Sequence, residues 1–153
     1  MQPLWLLDSI GSRLIRDEQQ AFSDLSISSF GNYFLQLGIW GHSNTFTDNT
    51  PIKNRFLITA HSFGEVALVA DLDRLPLLDQ TIDVVFLPHT LEQCDNHLEI
   101  LSSCVNTINE SGSLIALGFN PASLWGVRHL FSGKNFLPGI QRLISPNQYT
   151  HWL

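Results

Sequence analysis

Residues 81–88, Thr-Ile-Asp-Val-Val-Phe-Leu-Pro, place Ile82, Val84, Val85, Phe86 and Leu87 between a polar turn and a Pro-His pair. A short run of β-branched and aromatic side chains with no polar face reads as a strand buried on both sides, the kind found inside a parallel sheet. Such a strand constrains its neighbours, because a parallel partner needs a crossover connection. Residues 94–112 supply one, with Leu98, Ile100, Leu101, Val105 and Ile108 at helical spacing, Asp95 as a candidate cap and Gly112 as a candidate stop. Residues 113–119, Ser-Leu-Ile-Ala-Leu-Gly-Phe, then read as the next strand. Strand, helix and strand with short joints form a βαβ unit, whose crossover should be right-handed. The fold class is α/β, and buried parallel strands present their chemistry at their carboxyl ends, here at Pro88, His89 and Thr90.

Three more strands bring the number to about five. One runs from Tyr33 to a stop at Gly38, a second covers 55–60 and a third 65–72. The intervening His61-Ser62-Phe63-Gly64 is short enough for a hairpin-like turn. Residues 39–54, rich in Asn, Thr and Gly, have no helical period and read as a loop. Leu7, Ile10, Leu14, Ile15, Phe22 and Leu25 recur at roughly helical spacing, so residues 1–28 form an N-terminal helical segment, slightly weakened by Gly11. A further helix opens after Asn120-Pro121, and a last one at Ser145-Pro146. That last helix meets Leu153 within about two turns, which suggests a fragment, a truncated gene or an unusual ending.

Composition narrows the partners. A chain of 153 residues, 44% hydrophobic and 14% charged, is expected to form one well-buried domain. Net charge is −6 and the eight basic residues are scattered, so no stripe offers a footprint for nucleic-acid phosphates. No apolar run reaches membrane-spanning length. The amino terminus has no basic lead and carries Asp8, unlike a secretory signal. Cys94 and Cys104 fit neither a disulfide framework nor a metal spacing, and a cytoplasmic location is the simple reading. Asn109-Glu110-Ser111 matches the glycosylation triplet, a chance match without secretion. His89, Glu92 and Cys94 form no recognised ligand pattern, so no metal is expected.

"ADLDRLPLLDQTIDVVFLPHTLE" (70–92) followed by "INESGSLIALGFNP" (108–121) resembles class I S-adenosylmethionine-dependent methyltransferases of the methyltransferase type 11 kind. "LQLGIWG" (35–41) with "GFNPASLWG" (118–126) is similar to a bacterial subgroup of that family. The resemblance covers about residues 4–131. It implies a single methyltransferase-like domain over 1–153, with a Rossmann-like core over 33–153, incomplete relative to the seven-stranded family fold.

S-adenosylmethionine is the cofactor this resemblance implies. Gly38 would let the backbone approach its methionine part, and Asp71 would accept a hydrogen bond from the adenine amino group. Asp71 could equally be a surface residue capping the following turn; Leu72 could line the adenine face or belong to the core. Asp73 reads as a solvated turn residue and Asp83 as structural. His89 is either a general base at neutral pH or a histidine that hydrogen-bonds the following helix. Asn120 and Pro121, with Ser123, Leu124 and Trp125, shape an acceptor pocket or simply start a helix packed in the core. Phe34 reads as a core aromatic, and Trp40 could equally be one.

The opening half departs from the family. Gln36 stands where the first strand carries a carboxylate, and Trp40 where a second glycine would lie. A tryptophan there is expected to narrow or fill the cofactor cleft. The helix after the glycine-rich loop is absent, and the second strand ends at Thr59-Ala60-His61, with no carboxylate before Glu65. The N-terminal helix either covers the cleft or packs on the sheet. Without the closing strands, an exposed sheet edge is expected, which a homodimer could cover. The chain is thus expected to be a methyltransferase with an unnamed acceptor or, alternatively, a non-catalytic binding or assembly module.

Overall fold

A computed structural model describes residues 4–26, 29–62, 68–132 and 136–152. Five strands, β1 (Tyr33–Leu37), β2 (Asn54–Thr59), β3 (Leu68–Val69), β4 (Ile82–Pro88) and β5 (Ile108–Leu117), form one sheet in the order β3-β2-β1-β4-β5. Every pairing is parallel. The helices are α1 (Ser9–Ser26), α2 (Thr90–Gln93), α3 (His97–Thr107), α4 (Leu124–Phe131) and α5 (Pro146–Trp152). The fold is the Rossmann-like α/β sheet that the buried strand at 82–88 demands.

Alternation along the strands builds two cores, one on each face of the sheet. Phe34, Val84 and Phe86 enter the layer under α1, where they meet Phe22 and Phe46. Leu35, Leu37, Val85 and Leu87 enter the opposite layer with Ile100 and Leu101 of α3. Phe34 and Trp40 are both fully buried, as core aromatics should be.

At its start, α1 is capped by Asp8, whose Oδ1 accepts the backbone N–H groups of Ile10 and Gly11 at 2.9 and 2.8 Å. Gly11 is there for contact rather than as a weak point, since a Cβ would run into the Trp5 carbonyl. The buried stripe of this helix is narrower than its period implies: Phe22 is fully buried, while Leu7, Ile10 and Leu25 are exposed.

Three local expectations change. The hairpin at 61–64 does not form, because β2 and β3 pair in parallel through Ile58↔Leu68 and Thr59↔Val69. Residues 63–67, part of that turn and of the strand expected at 65–72, lie outside the described residues. The helix at 94–112 ends at Thr107, and β5 begins at Ile108, so Gly112 sits inside a strand. It lies beside the register shift between Ile82 and Val84, where a Cβ would come 2.8 Å from the Asp83 carbonyl oxygen. Close approach of two backbones, not helix termination, is what that glycine serves. Asp95 does not cap α3; Asn96 holds the cap position without a side-chain bond.

Of the remaining helices, α5 starts at its expected signal, whereas α4, expected to open after Asn120-Pro121, starts at Leu124 with Ser123 as its cap. Ser123 Oγ accepts the Gly126 N–H at 3.1 Å at the start of α4, and Pro146 opens α5. On its outer side β5 has no strand partner among the described residues.

Candidate functional site

The strand order reverses between β1 and β4, and a crevice opens outside the carboxyl ends of strands at such a switch point. Gly38 follows β1 there with φ +81°, a conformation that glycine adopts without strain. Its N–H donates to the Ile58 carbonyl at 2.9 Å. A Cβ on Gly38 would come 2.8 Å from Thr90 Oγ1. That hydroxyl, the first residue of α2, donates to the Leu37 carbonyl at 2.5 Å. The ends of β1 and β4 are thus held close together.

Beside this junction lies a cleft of about 500 Å³, lined by Gly38, Ile39, Ala60, Leu72, Thr90 and Cys94 among others. Its volume suits a small-molecule or cofactor site. A second cavity of about 360 Å³ shares Ala60, Leu72 and Cys94 with it and adds Asp71 and Asp73. Leu72 is buried and Asp71 is exposed. Gly38 and Leu72, singled out far apart in the sequence, therefore border one cleft, and Asp71 borders the cavity that shares Leu72 with it. At the end of β2, Thr59 donates through Oγ1 to the His61 carbonyl at 2.6 Å, and Thr59, His61 and Ser62 complete that wall.

Gln36 is fully buried. Its amide nitrogen donates to the Gly38 carbonyl at 3.0 Å, while its Oε1 has no hydrogen-bond partner. The amide therefore bends back onto the turn that follows β1. Trp40 does not fill the cleft. Its indole is buried in the aromatic layer under α1, its ring centroid 5.8 Å from that of Trp5 and 6.0 Å from that of Phe119. Gly41, with φ +79°, carries the chain onward beneath Ile15 of α1.

His89 sits at the carboxyl end of β4 in the left-handed region, φ +56°, where a non-glycine residue is strained. It is 1% exposed and is not among the described residues lining the cleft. Nδ1 lies 2.7 Å from Glu92 Oε2 and Nε2 lies 2.9 Å from Glu18 Oε1. The ring is held between Trp40 and Phe119, at centroid distances of 4.2 and 4.5 Å. Burial alone would lower its pKa, but hydrogen bonds and charge from Glu18 and Glu92 outweigh that and raise it above the ordinary value. An imidazolium donating to two carboxylates follows, with no ring nitrogen left to accept a proton.

The carboxylates extend the network. Glu18 of α1 also accepts the Trp40 indole N–H, Oε2 at 2.8 Å. Glu92 Oε1 accepts the Phe119 N–H at 2.9 Å, and its own carbonyl accepts the N–H of Gln141. Glu18 was not anticipated from sequence, whereas the alternative that His89 hydrogen-bonds the following helix is met by Glu92 of α2. Glu18 lies 71 residues from His89, and the only local hint was a tryptophan whose N–H needed a partner.

Asp83 is structural, as its position at the start of β4 suggests. It accepts the N–H groups of Asn32 and Tyr33 and the Asn109 amide at 2.7, 2.9 and 2.7 Å. Asn120 Oδ1 accepts the Ala122 N–H at 2.9 Å and so shapes the turn into α4, while Trp125 packs on Phe119 and Phe136. Leu124 is 89% exposed and lies outside the core. Among the described residues no cluster of three His, Cys, Asp or Glu could hold a metal, and no helix is long and apolar enough to cross a membrane.

A parallel sheet with a hollow at its β1/β4 switch point defines a Rossmann-like α/β protein. More narrowly, its fold is that of the class I S-adenosylmethionine-dependent methyltransferases. Residues 47–116 match the methyltransferase domain family. A methyltransferase from Thermotoga maritima, dependent on S-adenosylmethionine, superimposes with a TM-score of 0.73 at 16% identity, over 97% of this chain and 72% of that one. Another from Archaeoglobus fulgidus gives 0.69 at 17% identity, over 92% and 66%. In sequence, 65 residues are 37% identical to the uncharacterized protein YafS of Escherichia coli (strain K12). That match covers 42% of this chain and only 27% of YafS.

Proposed function

We propose that the chain binds S-adenosylmethionine in the hollow at the ends of β1, β2 and β4, and transfers its methyl group to an acceptor yet to be identified. The observation that carries this reading is the convergence of Gly38 and Leu72 on one cleft with Asp71 at its continuation. The residues fit the cofactor's parts. Leu72 and Ala60 offer an apolar wall for adenine, and Asp71 an exposed acceptor for its amino group. Gly38 allows close backbone approach to the methionine part. When bound, the cofactor supplies an electrophilic methyl on sulfur, and the protein's share is to position and exclude water. His89 supports the cleft from behind rather than accepting a proton, since both ring nitrogens are engaged. A cytoplasmic setting is part of this reading, in keeping with two cysteines that form no disulfide.

One observation favours a second reading, a methyltransferase-fold module that binds or assembles without catalysis. The position of the family's first-strand carboxylate is held by Gln36, whose amide oxygen has no partner.

Isothermal titration with S-adenosylmethionine and S-adenosylhomocysteine separates the two. Saturable binding with Kd near micromolar, about −8 kcal/mol, is expected. Absence of both heat and thermal shift at millimolar ligand would overturn the cofactor reading and leave the module.

A further inference from the structure

We infer that Glu18 of the N-terminal helix is a positioning residue for the cleft: its single carboxylate bridges Trp40 behind β1 and His89 behind β4, and so clamps the two walls of the switch point. The inference rests on the cofactor reading above for the identity of the ligand, and on geometry for the clamp itself.

The two oxygens of Glu18 are used differently. Oε2 accepts from the Trp40 indole at 2.8 Å, and Trp40 directly follows Ile39, which lines the cleft. Oε1 lies 2.9 Å from His89 Nε2, and His89 directly precedes Thr90, which lines the same cleft from the other side. Each bonded residue thus stands one position from a cleft residue, with its side chain directed away from the hollow. The Trp40 and His89 rings also stack on one another, 4.2 Å between centroids. The carboxylate closes a ring of contacts behind the cleft.

The family's loop helix is missing here, and α1 holds the long β1–β2 loop instead. Besides the Glu18 contact, Gln19 Nε2 donates to the Thr45 carbonyl at 2.6 Å and Ser26 Oγ donates to the Asn49 carbonyl at 3.1 Å. Those two bonds tie the distal part of the loop. Glu18 reaches both the cleft-side turn and the end of β4. With 13% side-chain exposure it is well shielded from water, so its charge-assisted bonds are stronger than surface ones.

Glu18→Gln tests the clamp with little change in shape. A carboxylate accepts from both N–H groups, whereas an amide turns an NH2 toward one of them and loses that bond. Phe22→Leu is the control, since it loosens the same helix through packing alone. Three quantities are compared: affinity for S-adenosylhomocysteine, the rate of Cys94 alkylation by iodoacetamide, and the Trp40 indole N–H resonance. Cys94 lines the cleft, while Cys104 is buried and its thiol is pushed up to about 12 by that burial.

The expected result is about tenfold weaker binding in Glu18→Gln, faster Cys94 alkylation and a shifted Trp40 resonance, none of which Phe22→Leu reproduces at similar stability. Equal affinity in Glu18→Gln and the parent, or the same loss in Phe22→Leu, overturns the inference and leaves the cofactor reading intact. If the parent itself binds no ligand, the cofactor reading fails and Cys94 alkylation decides: a faster rate in Glu18→Gln upholds the clamp, an unchanged rate removes it.

Discussion

The hydroxyl of Thr90 donates to the carbonyl of Leu37 at 2.5 Å, joining the first turn after β4 to the last residue of β1. Both residues are buried, so this bond is made away from water at the point where the sheet's strand order reverses. A side chain here does what backbone pairing cannot, because the two strands diverge beyond their last paired residues, Gln36 and Phe86.

Thr90→Val keeps the shape and removes the donor. The buried Leu37 carbonyl then loses a partner, which costs about 1–3 kcal/mol. For a domain of this size, thermal unfolding should move down by roughly 2–4 °C per kcal/mol. Calorimetry on the purified variant reads this directly; an unchanged midpoint would mean the bond contributes nothing net.

Gly38→Ala combines two penalties at one site. The residue must hold φ +81°, and its new methyl must fit 2.8 Å from Thr90 Oγ1. Left-handed strain of about 1–3 kcal/mol is expected in denaturant unfolding, together with lost affinity for S-adenosylhomocysteine. The double variant Gly38→Ala/Thr90→Ser relieves only part of the crowding and should recover only part of the stability.

Asp71→Ala leaves the fold alone, since Asp71 is exposed and its side chain makes no hydrogen bond in the structure described. Affinity for S-adenosylhomocysteine should drop by about three- to tenfold, the worth of one polar contact to the ligand. Titration of this variant with unchanged Kd would remove Asp71 from the site.

Asp83 should make stability depend on acid. Burial pushes its carboxyl up, but the N–H groups of Tyr33 and Asn32 and the Asn109 amide together outweigh it and hold the carboxyl below the usual value of 3.8. A depressed folded pKa means the contribution is present above the unfolded value, and is lost as pH falls through the folded one. Asp83→Asn should therefore flatten that acid limb in urea titrations between about pH 5 and pH 2. A limb of the same steepness in the variant would assign it to other carboxylates.

Much of the scaffold was legible in sequence because it rests on local periodicity. The run at 82–88 has no polar face, and Tyr33–Leu37 ends at a glycine, so β4 and β1 declare themselves. The start of α5 at Ser145-Pro146 follows from capping chemistry, whereas α4 begins beyond its Asn120-Pro121 signal, at the Ser123 cap. What escaped depends on distance or on brevity. Helix α2 has four residues, too few for any period. The parallel pairing of β2 and β3 is a property of register, which a short polar connection does not reveal. The residues bordering the cleft came from family resemblance, and spacing alone would not have gathered Gly38, Leu72 and Asp71. Of the two readings of Trp40, cleft filler and core aromatic, the second holds: its position in the motif fixes where its backbone goes, but the side chain follows the core it can join.

That core gives Trp40 an optical property. Its indole stacks 4.2 Å from an imidazole whose proton is shared with two carboxylates. A protonated imidazole at that distance can accept an electron from an excited indole, so Trp40 emission is expected to rise when His89 loses its proton. The contact therefore makes Trp40 emission an expected reporter of the His89 proton, to be read in a variant without the indoles of Trp5, Trp125 and Trp152.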